Sequence, residues 1–258
     1  MAEIYHDEVV KLPCGELPIR IGGSGPPLLF LHGINEAGIW SDFLASLARG
    51  FTVHAPIHPG FGGTTLPDWV QGVDDLAFHY IDLITTLGLQ RPLVMGNSIG
   101  GWIATELAIF RPDLIGKLVL ASALGLRPEN PSPDMFILDG AEESELLSAD
   151  GKPDGQVSFS DPEVLIRRWE DQAALARLMW KRPYDPRLDR RLHHIAAPTL
   201  VIWGECDRLL PASHGARLSS AITGSRFLTI RDAGHLISFD RPSELAQAII
   251  EFGSAGRK

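Results

Sequence analysis

The sequence predicts an α/β fold, a mostly parallel sheet with helices on both faces. Three observations carry this. Short apolar runs alternate with segments of helical periodicity. The runs are continuously apolar, as in strands buried on both faces, not apolar on alternate positions. Clusters of glycine and proline separate one run from the next. At 258 residues the chain can bury a single large core.

The elements follow in order. Glu8–Leu12 and Leu17–Ile21 read as two short strands, and the glycines and prolines from Gly22 to Pro27 read as a turn. Leu28–Leu31 is a buried strand. Trp40–Ala48 has helical spacing, with Phe43, Leu44 and Leu47 on one side and Ser41 or an earlier residue as a cap. Phe51–Ala55 is a strand and His58–Gly63 a loop. Val73–Leu87 is a helix closed by Gly88. Strand Pro92–Met95, helix Ser98–Phe110 and strand Lys117–Ala121 come next. The alternation then stops between Leu124 and His194, a stretch first rich in proline and acidic residues and then amphipathic over Pro162–Trp180. It resumes with strand Thr199–Trp203, helix Ser213–Ile222, strand Arg226–Ile230 and helix Ser243–Phe252. Residues 1–123 and 195–258 therefore form the core, and 124–194 is an insertion over one end of the sheet.

Composition narrows the function classes. Apolar residues make up 45% and charged residues 21%, which excludes wholesale disorder. The net charge of −9 argues against nucleic acid and anionic lipid as partners. The acidic run Asp139–Asp150 reads as a solvated loop or helix face. Cys14 and Cys206 are too few and too far apart for a disulfide framework or zinc site. The N-terminus lacks the apolar run of a secretory signal, and no segment approaches the ~18 apolar residues of a membrane span. A cytoplasmic protein acting on a small molecule is the expectation; the oligomeric state is not legible.

The sharpest chemical signal is Gly96-Asn97-Ser98-Ile99-Gly100-Gly101, placed between a strand and a helix. Such a turn holds the serine hydroxyl exposed at the C-terminal edge of the sheet, at a helix N-terminus that favours negative charge. Alone, the pattern also describes a serine capping a helix. A serine needs a base, and His235, between the last strand and the last helix, emerges at the same edge. The base needs an acid to fix its tautomer. Asp207, following strand Thr199–Trp203, fits, with Glu205 as the alternative. Strand Leu28–Leu31 runs into His32-Gly33-Ile34, so the Ile34 and Ile99 amides form a candidate oxyanion hole. His32 itself reads as a structural hydrogen-bonding residue.

These motifs, together with His58-Pro59-Gly60-Phe61-Gly62 and Trp203-Gly204-Glu205-Cys206-Asp207, resemble the α/β-hydrolase family over essentially the whole chain. The resemblance implies an eight-stranded sheet, a helical lid at 124–194, and a triad of Ser98 as nucleophile, Asp207 as acid and His235 as base. Asn97 before the nucleophile resembles the hydrolases that cleave carbon–carbon bonds in ring-fission products, although esterases carry it too. Those ring-fission enzymes often have an aromatic residue where this chain has Leu236, and Ser98 departs from the aspartate of the dehalogenase branch.

The lid offers Met135, Phe136, Leu138, Phe159, Trp169, Leu178, Met179 and Trp180, so an apolar or aromatic acyl group is the expected substrate moiety. Gly33, Asn97, Met135, Phe136, Trp169, Met179, Trp180 and Leu236 are the candidate substrate contacts. Arg167, Arg168 and Lys181 read first as exposed helix charges, with a contact to a substrate carboxylate as the alternative. No cofactor or metal is expected. His193 and His194 are adjacent and not spaced as ligands, and the glycine loops lack the phosphate-binding pattern. A carboxylic-ester hydrolase acting through an acyl-enzyme is the expected function, with a carbon–carbon hydrolase and a catalytically silent binding module on the same fold as alternatives.

Overall fold

A computed structural model describes residues 5–138, 140–151 and 162–255. Eight strands form one sheet: β1 (Tyr5–Leu12), β2 (Gly15–Gly23), β3 (Pro27–Leu31), β4 (Thr52–Pro56), β5 (Leu93–Asn97), β6 (Lys117–Ala121), β7 (Thr199–Gly204) and β8 (Arg226–Ile230). Their spatial order is β1-β2-β4-β3-β5-β6-β7-β8. The β1–β2 and β2–β4 pairs are antiparallel, and every other pair is parallel. The mostly parallel eight-stranded sheet expected from the sequence is what forms.

Side-chain alternation along the strands divides the core in two. Leu28, Phe30, Val53, Met95, Val119 and Ile202 face one hydrophobic cluster, while Leu29, Leu31, Val94, Leu120 and Trp203 face the other. The first cluster is closed by helices α1 (Asp42–Leu47) and α8 (Pro242–Ser254). The second is closed by α2 (Val73–Thr86), α3 (Ser98–Phe110) and α6 (Ala212–Ser220). Both faces are thus covered, and every residue of β5 and β7 is buried. Ser41 caps α1 by accepting the Leu44 N–H at 3.4 Å.

Segment 124–194 contains α4 (Gly140–Leu147), α5 (Pro162–Leu178) and two single-turn 3₁₀ helices, Leu188–Arg190 and Leu192–His194. It packs on the loops at the C-terminal ends of the strands. Leu236 N–H donates to the Leu147 carbonyl at 3.0 Å. The Arg208 guanidinium donates to the carbonyls of Glu145, Ser148 and Ala149. On the other side Gly62 N–H donates to Asp171 at 2.7 Å. Burial pushes Asp171 up to about 6. Where the chain returns to the core, Arg191 bridges Glu106 at 2.9 Å and Asp185 at 2.6 Å.

The acidic run departs from the expected solvated face. Asp139 lies outside the described residues, but Glu143 is buried. It pairs with Arg168 of α5 and accepts from Gln172 at 3.2 Å and from Asn35 at 3.4 Å. A carboxylate can be buried here because α5 carries a cation and an amide to meet it. One turn, α7 (Ile237–Asp240), had no periodic signature in the sequence.

Candidate active site

Ser98 sits at φ +50° between β5 and α3. That left-handed backbone costs a non-glycine residue on the order of 1–3 kcal/mol. The surrounding glycines permit it. A Cβ on Gly96 would collide with the Gly100 carbonyl, and one on Gly100 with the Leu31 carbonyl. The elbow can therefore close tightly against β3 only with glycine at both positions.

His235 follows β8 and Asp207 follows β7, so the parallel strands deliver both to the edge that holds Ser98. The Ser98 hydroxyl lies 2.9 Å from His235 Nε2, and His235 Nδ1 lies 3.0 Å from Asp207 Oδ2. The histidine and aspartate side chains are fully buried. Asp207 Oδ1 accepts the N–H groups of Leu209 and Leu210 at 3.0 and 2.9 Å. Both carboxylate oxygens are acceptors, so Nδ1 carries the ring proton and Nε2 is left to accept from Ser98. Glu205, the alternative acid, is exposed. Asp207→Asn is expected to keep the imidazole in place and favour the wrong tautomer, lowering kcat by at least ~10²-fold. Steady-state kinetics checks this, and a larger loss from Glu205→Gln would reverse the choice of acid.

The loop after β3 lies against the elbow. A Cβ on Gly33 would stand 3.2 Å from that of Ser98. The Ile34 amide makes no backbone hydrogen bond among the described residues. The Ile99 amide, in the first turn of α3, has no acceptor within its helix. Beneath the loop, His58 N–H donates to His32 Nε2 at 3.0 Å, and His32 Nδ1 donates to the Gly33 carbonyl at 2.8 Å. His58 Nε2 donates to the His32 carbonyl at 2.9 Å, leaving Nδ1 to accept from Tyr80. The two rings stack with centroids 3.7 Å apart. Burial pushes His32 down to about 4 and His58 well below the usual histidine range, so both are neutral struts of the loop.

A cavity of about 480 Å³ lies under the insertion; Ser98, Asp207 and His235 do not line it themselves, but residues bonded to two of them do. Its wall includes Leu124, Leu209 and Leu210. The Leu124 amide donates to the Ser98 carbonyl at 3.0 Å, and the other two amides hold Asp207. The insertion supplies Met135, Phe136, Met179 and Trp180 to the same wall. Leu236 is buried against α4.

Three expectations need correction. Trp169 does not line this cavity; it is 76% exposed. Residue 169 lies about 200° around α5 from Asp171, on the face opposite the one that packs. Asn97 does not line this cavity, and its amide donates to Glu36 Oε1 at 2.8 Å. Arg168 is engaged by Glu143. Phe159 lies outside the described residues. Glu36, buried among these loops, had no motif to mark it.

Among the described residues no cluster of His, Cys, Asp or Glu is arranged to hold a metal ion, and no helix is long and apolar enough to cross a membrane. Fold and site geometry together define a hydrolase of the α/β class. Residues 28–248 match the alpha/beta hydrolase family, and the chain belongs to it. It is 30% identical to the uncharacterized protein Rv2715 of Mycobacterium tuberculosis (strain ATCC 25618 / H37Rv), over 90% of this chain and 76% of that one. It is 27% identical to 2-hydroxy-6-oxo-6-(2'-aminophenyl)hexa-2,4-dienoic acid hydrolase of Metapseudomonas resinovorans, over 89% and 84% of the two chains. Among solved structures, a thermophilic esterase from Thermogutta terrifontis superimposes with a TM-score of 0.73 at 27% identity, covering 96% of this chain and 97% of that one.

Proposed function

We propose that the chain is a serine hydrolase that cleaves a carboxylic ester with an apolar or aromatic acyl group through an acyl-enzyme. The observation that carries this is the unbroken chain of contacts from Ser98 through His235 to Asp207, with a largely apolar cavity walled in part by Leu124, Leu209 and Leu210, whose amides bond to Ser98 and Asp207. His235 Nε2 takes the hydroxyl proton as Ser98 attacks the carbonyl. The Ile34 and Ile99 amides meet the oxyanion, and the imidazolium returns the proton to the leaving alcohol. Water repeats the sequence to release the acid. Paired donors of this kind are each worth about 3–4 kcal/mol of barrier.

A second reading, hydrolysis of a carbon–carbon bond in a vinylogous diketone acid, draws support from the Metapseudomonas relative's name. Such a substrate brings a carboxylate that a cation must meet. Arg168 is already ion-paired to the buried Glu143, whereas Lys181 and Arg182 stand on the cavity wall. The test is a panel of p-nitrophenyl esters of increasing acyl length and aromatic character, run beside 2-hydroxy-6-oxo-6-phenylhexa-2,4-dienoate. Ester turnover with kcat/KM rising as the acyl group becomes more apolar is the expected result. Faster turnover of the dienoate than of any ester would transfer the assignment to carbon–carbon cleavage. No turnover of either, with no labelling of Ser98 by a fluorophosphonate, would leave a binding module.

A further inference from the structure

Glu36 is buried in the loop after β3, and no cation is paired with it among the described residues. Its Oε2 accepts the Gly33 N–H. Its Oε1 accepts the Asn97 amide at 2.8 Å and the Ser238 hydroxyl. The Gly33 and Asn97 N–H groups are obligate donors and the Ser238 hydroxyl is able to donate, an arrangement that suits a carboxylate. Burial pushes the group above the ordinary glutamate range, while the Ser238, Gly33 and Asn97 bonds and the charge of His235 pull it back.

The three donors come from three different segments. Gly33 precedes Ile34 in the candidate oxyanion loop, Asn97 immediately precedes Ser98, and Ser238 stands three residues after His235. Each reacting group therefore has a near neighbour tied to one anion. We propose that Glu36 is a positioning residue that fastens the oxyanion loop, the nucleophile elbow and the histidine loop to a single carboxylate, and that its charge joins that of Asp207 in stabilising the imidazolium formed when Ser98 gives up its proton. This rests on the reading of Ser98, His235 and Asp207 as a working triad. The charged and titratable groups around His235 are then Asp207 on the Nδ1 side, Glu36 from the β3 loop, and His214 of α6, which burial keeps neutral by lowering it to about 4.

The site makes chemical sense of an otherwise costly choice. A buried carboxylate without a cation is stable only where several dipoles converge on it. Here the converging dipoles belong to the segments whose relative placement sets the distance from Ser98 to the oxyanion donors. Misplacement of such groups by about 1 Å costs on the order of 10²-fold in rate.

The experiment measures the second-order rate constant for phosphonylation of Ser98 by a fluorophosphonate from pH 5 to 9, followed by intact mass, in wild type and in Glu36→Gln, Glu36→Asp and Ser238→Ala. Phosphonylation needs the base but no knowledge of the natural substrate. Glu36→Gln is expected to react about 10- to 100-fold more slowly at its plateau, with the acid limb moved to lower pH, because a negative charge acting on the imidazolium is gone. Glu36→Asp keeps the charge and should restore the limb, though not the full rate. Ser238→Ala should slow the reaction several-fold without moving the limb to lower pH; it keeps the proposal testable if Glu36→Gln does not fold. A folded Glu36→Gln with wild-type rate and limb overturns the proposal, as does an unaffected Ser238→Ala. A slower Glu36→Gln whose limb stays put removes the electrostatic half of it. If wild type itself is not labelled at Ser98, the triad reading falls and the proposal with it, whereas a labelled wild type with indifferent Glu36 variants removes Glu36 alone.

Discussion

Replacing Ser98 by alanine is expected to lower kcat by on the order of 10⁴- to 10⁶-fold and to abolish fluorophosphonate labelling, while the thermal midpoint stays within a few degrees of wild type. The substitution removes one hydroxyl, which approaches His235 Nε2 at 2.9 Å. The backbone at φ +50° is no harder for alanine than for serine, so the elbow keeps its shape. What remains is a buried histidine held by Asp207 and a set of oxyanion donors with no nucleophile to serve. Residual catalysis would come from those donors and from binding alone. The measurement is ester turnover on protein freed of wild-type contamination, with unfolding followed in parallel. Activity within about tenfold of wild type would sink the triad assignment.

The second large effect concerns acid. Burial lowers His32, His79 and His214 to about 4, and it also lowers His58 and His54. In an unfolded chain each histidine titrates near ~6.5. The unfolded state therefore binds more protons than the folded one between these values. The stability these neutral histidines contribute is complete above ~6.5 and is lost as pH falls toward 4. A depression of this size is worth about 3 kcal/mol per histidine, against a total stability on the order of 5–15 kcal/mol. Buried acids act the other way. Asp171, raised to about 6, favours the folded state as pH drops through that value, so the net slope is smaller than the histidines alone would give. A difference between proteins cancels the acids. His79→Gln, remote from the triad, is expected to show a loss of unfolding free energy between pH 7 and pH 4 that is smaller than wild type's by about 3 kcal/mol. Urea unfolding at the two pH values checks it, and parallel losses in the two proteins would mean that His79 is not buried neutral.

Much of the sheet was legible because its strands are buried on both faces. Runs such as Leu28–Leu31 and Thr199–Trp203 stand out from any surface segment. The beginning of β1 was not legible: Tyr5–Val9 faces solvent or is only half-buried, so the sequence there carries no apolar signal. The single turn α7 is too short to show a period. The elbow at Ser98 was readable from its glycines, and Asp207 and His235 from their places after strands. Glu36 was not, because its partners Asn97 and Ser238 stand 61 and 202 residues away along the chain. Trp169 was misjudged for a related reason. Its apolarity marks it as something to be covered, but only the helix phase, fixed by the Asp171 contact to Gly62, says that it faces outward.

The division of labour around the cavity has an evolutionary corollary. Ser98, Asp207, His235, Glu36 and the Ile34 and Ile99 amides all belong to the core, whereas Met135, Phe136, Met179 and Trp180 belong to the segment between β6 and β7. That segment leaves and rejoins the core between two strands already paired with each other, so exchanging it disturbs no register. On the proposed function, chemistry and choice of substrate are thus carried on separate stretches of the chain. Recombination within the segment between β6 and β7 is then the expected route from one acyl preference to another.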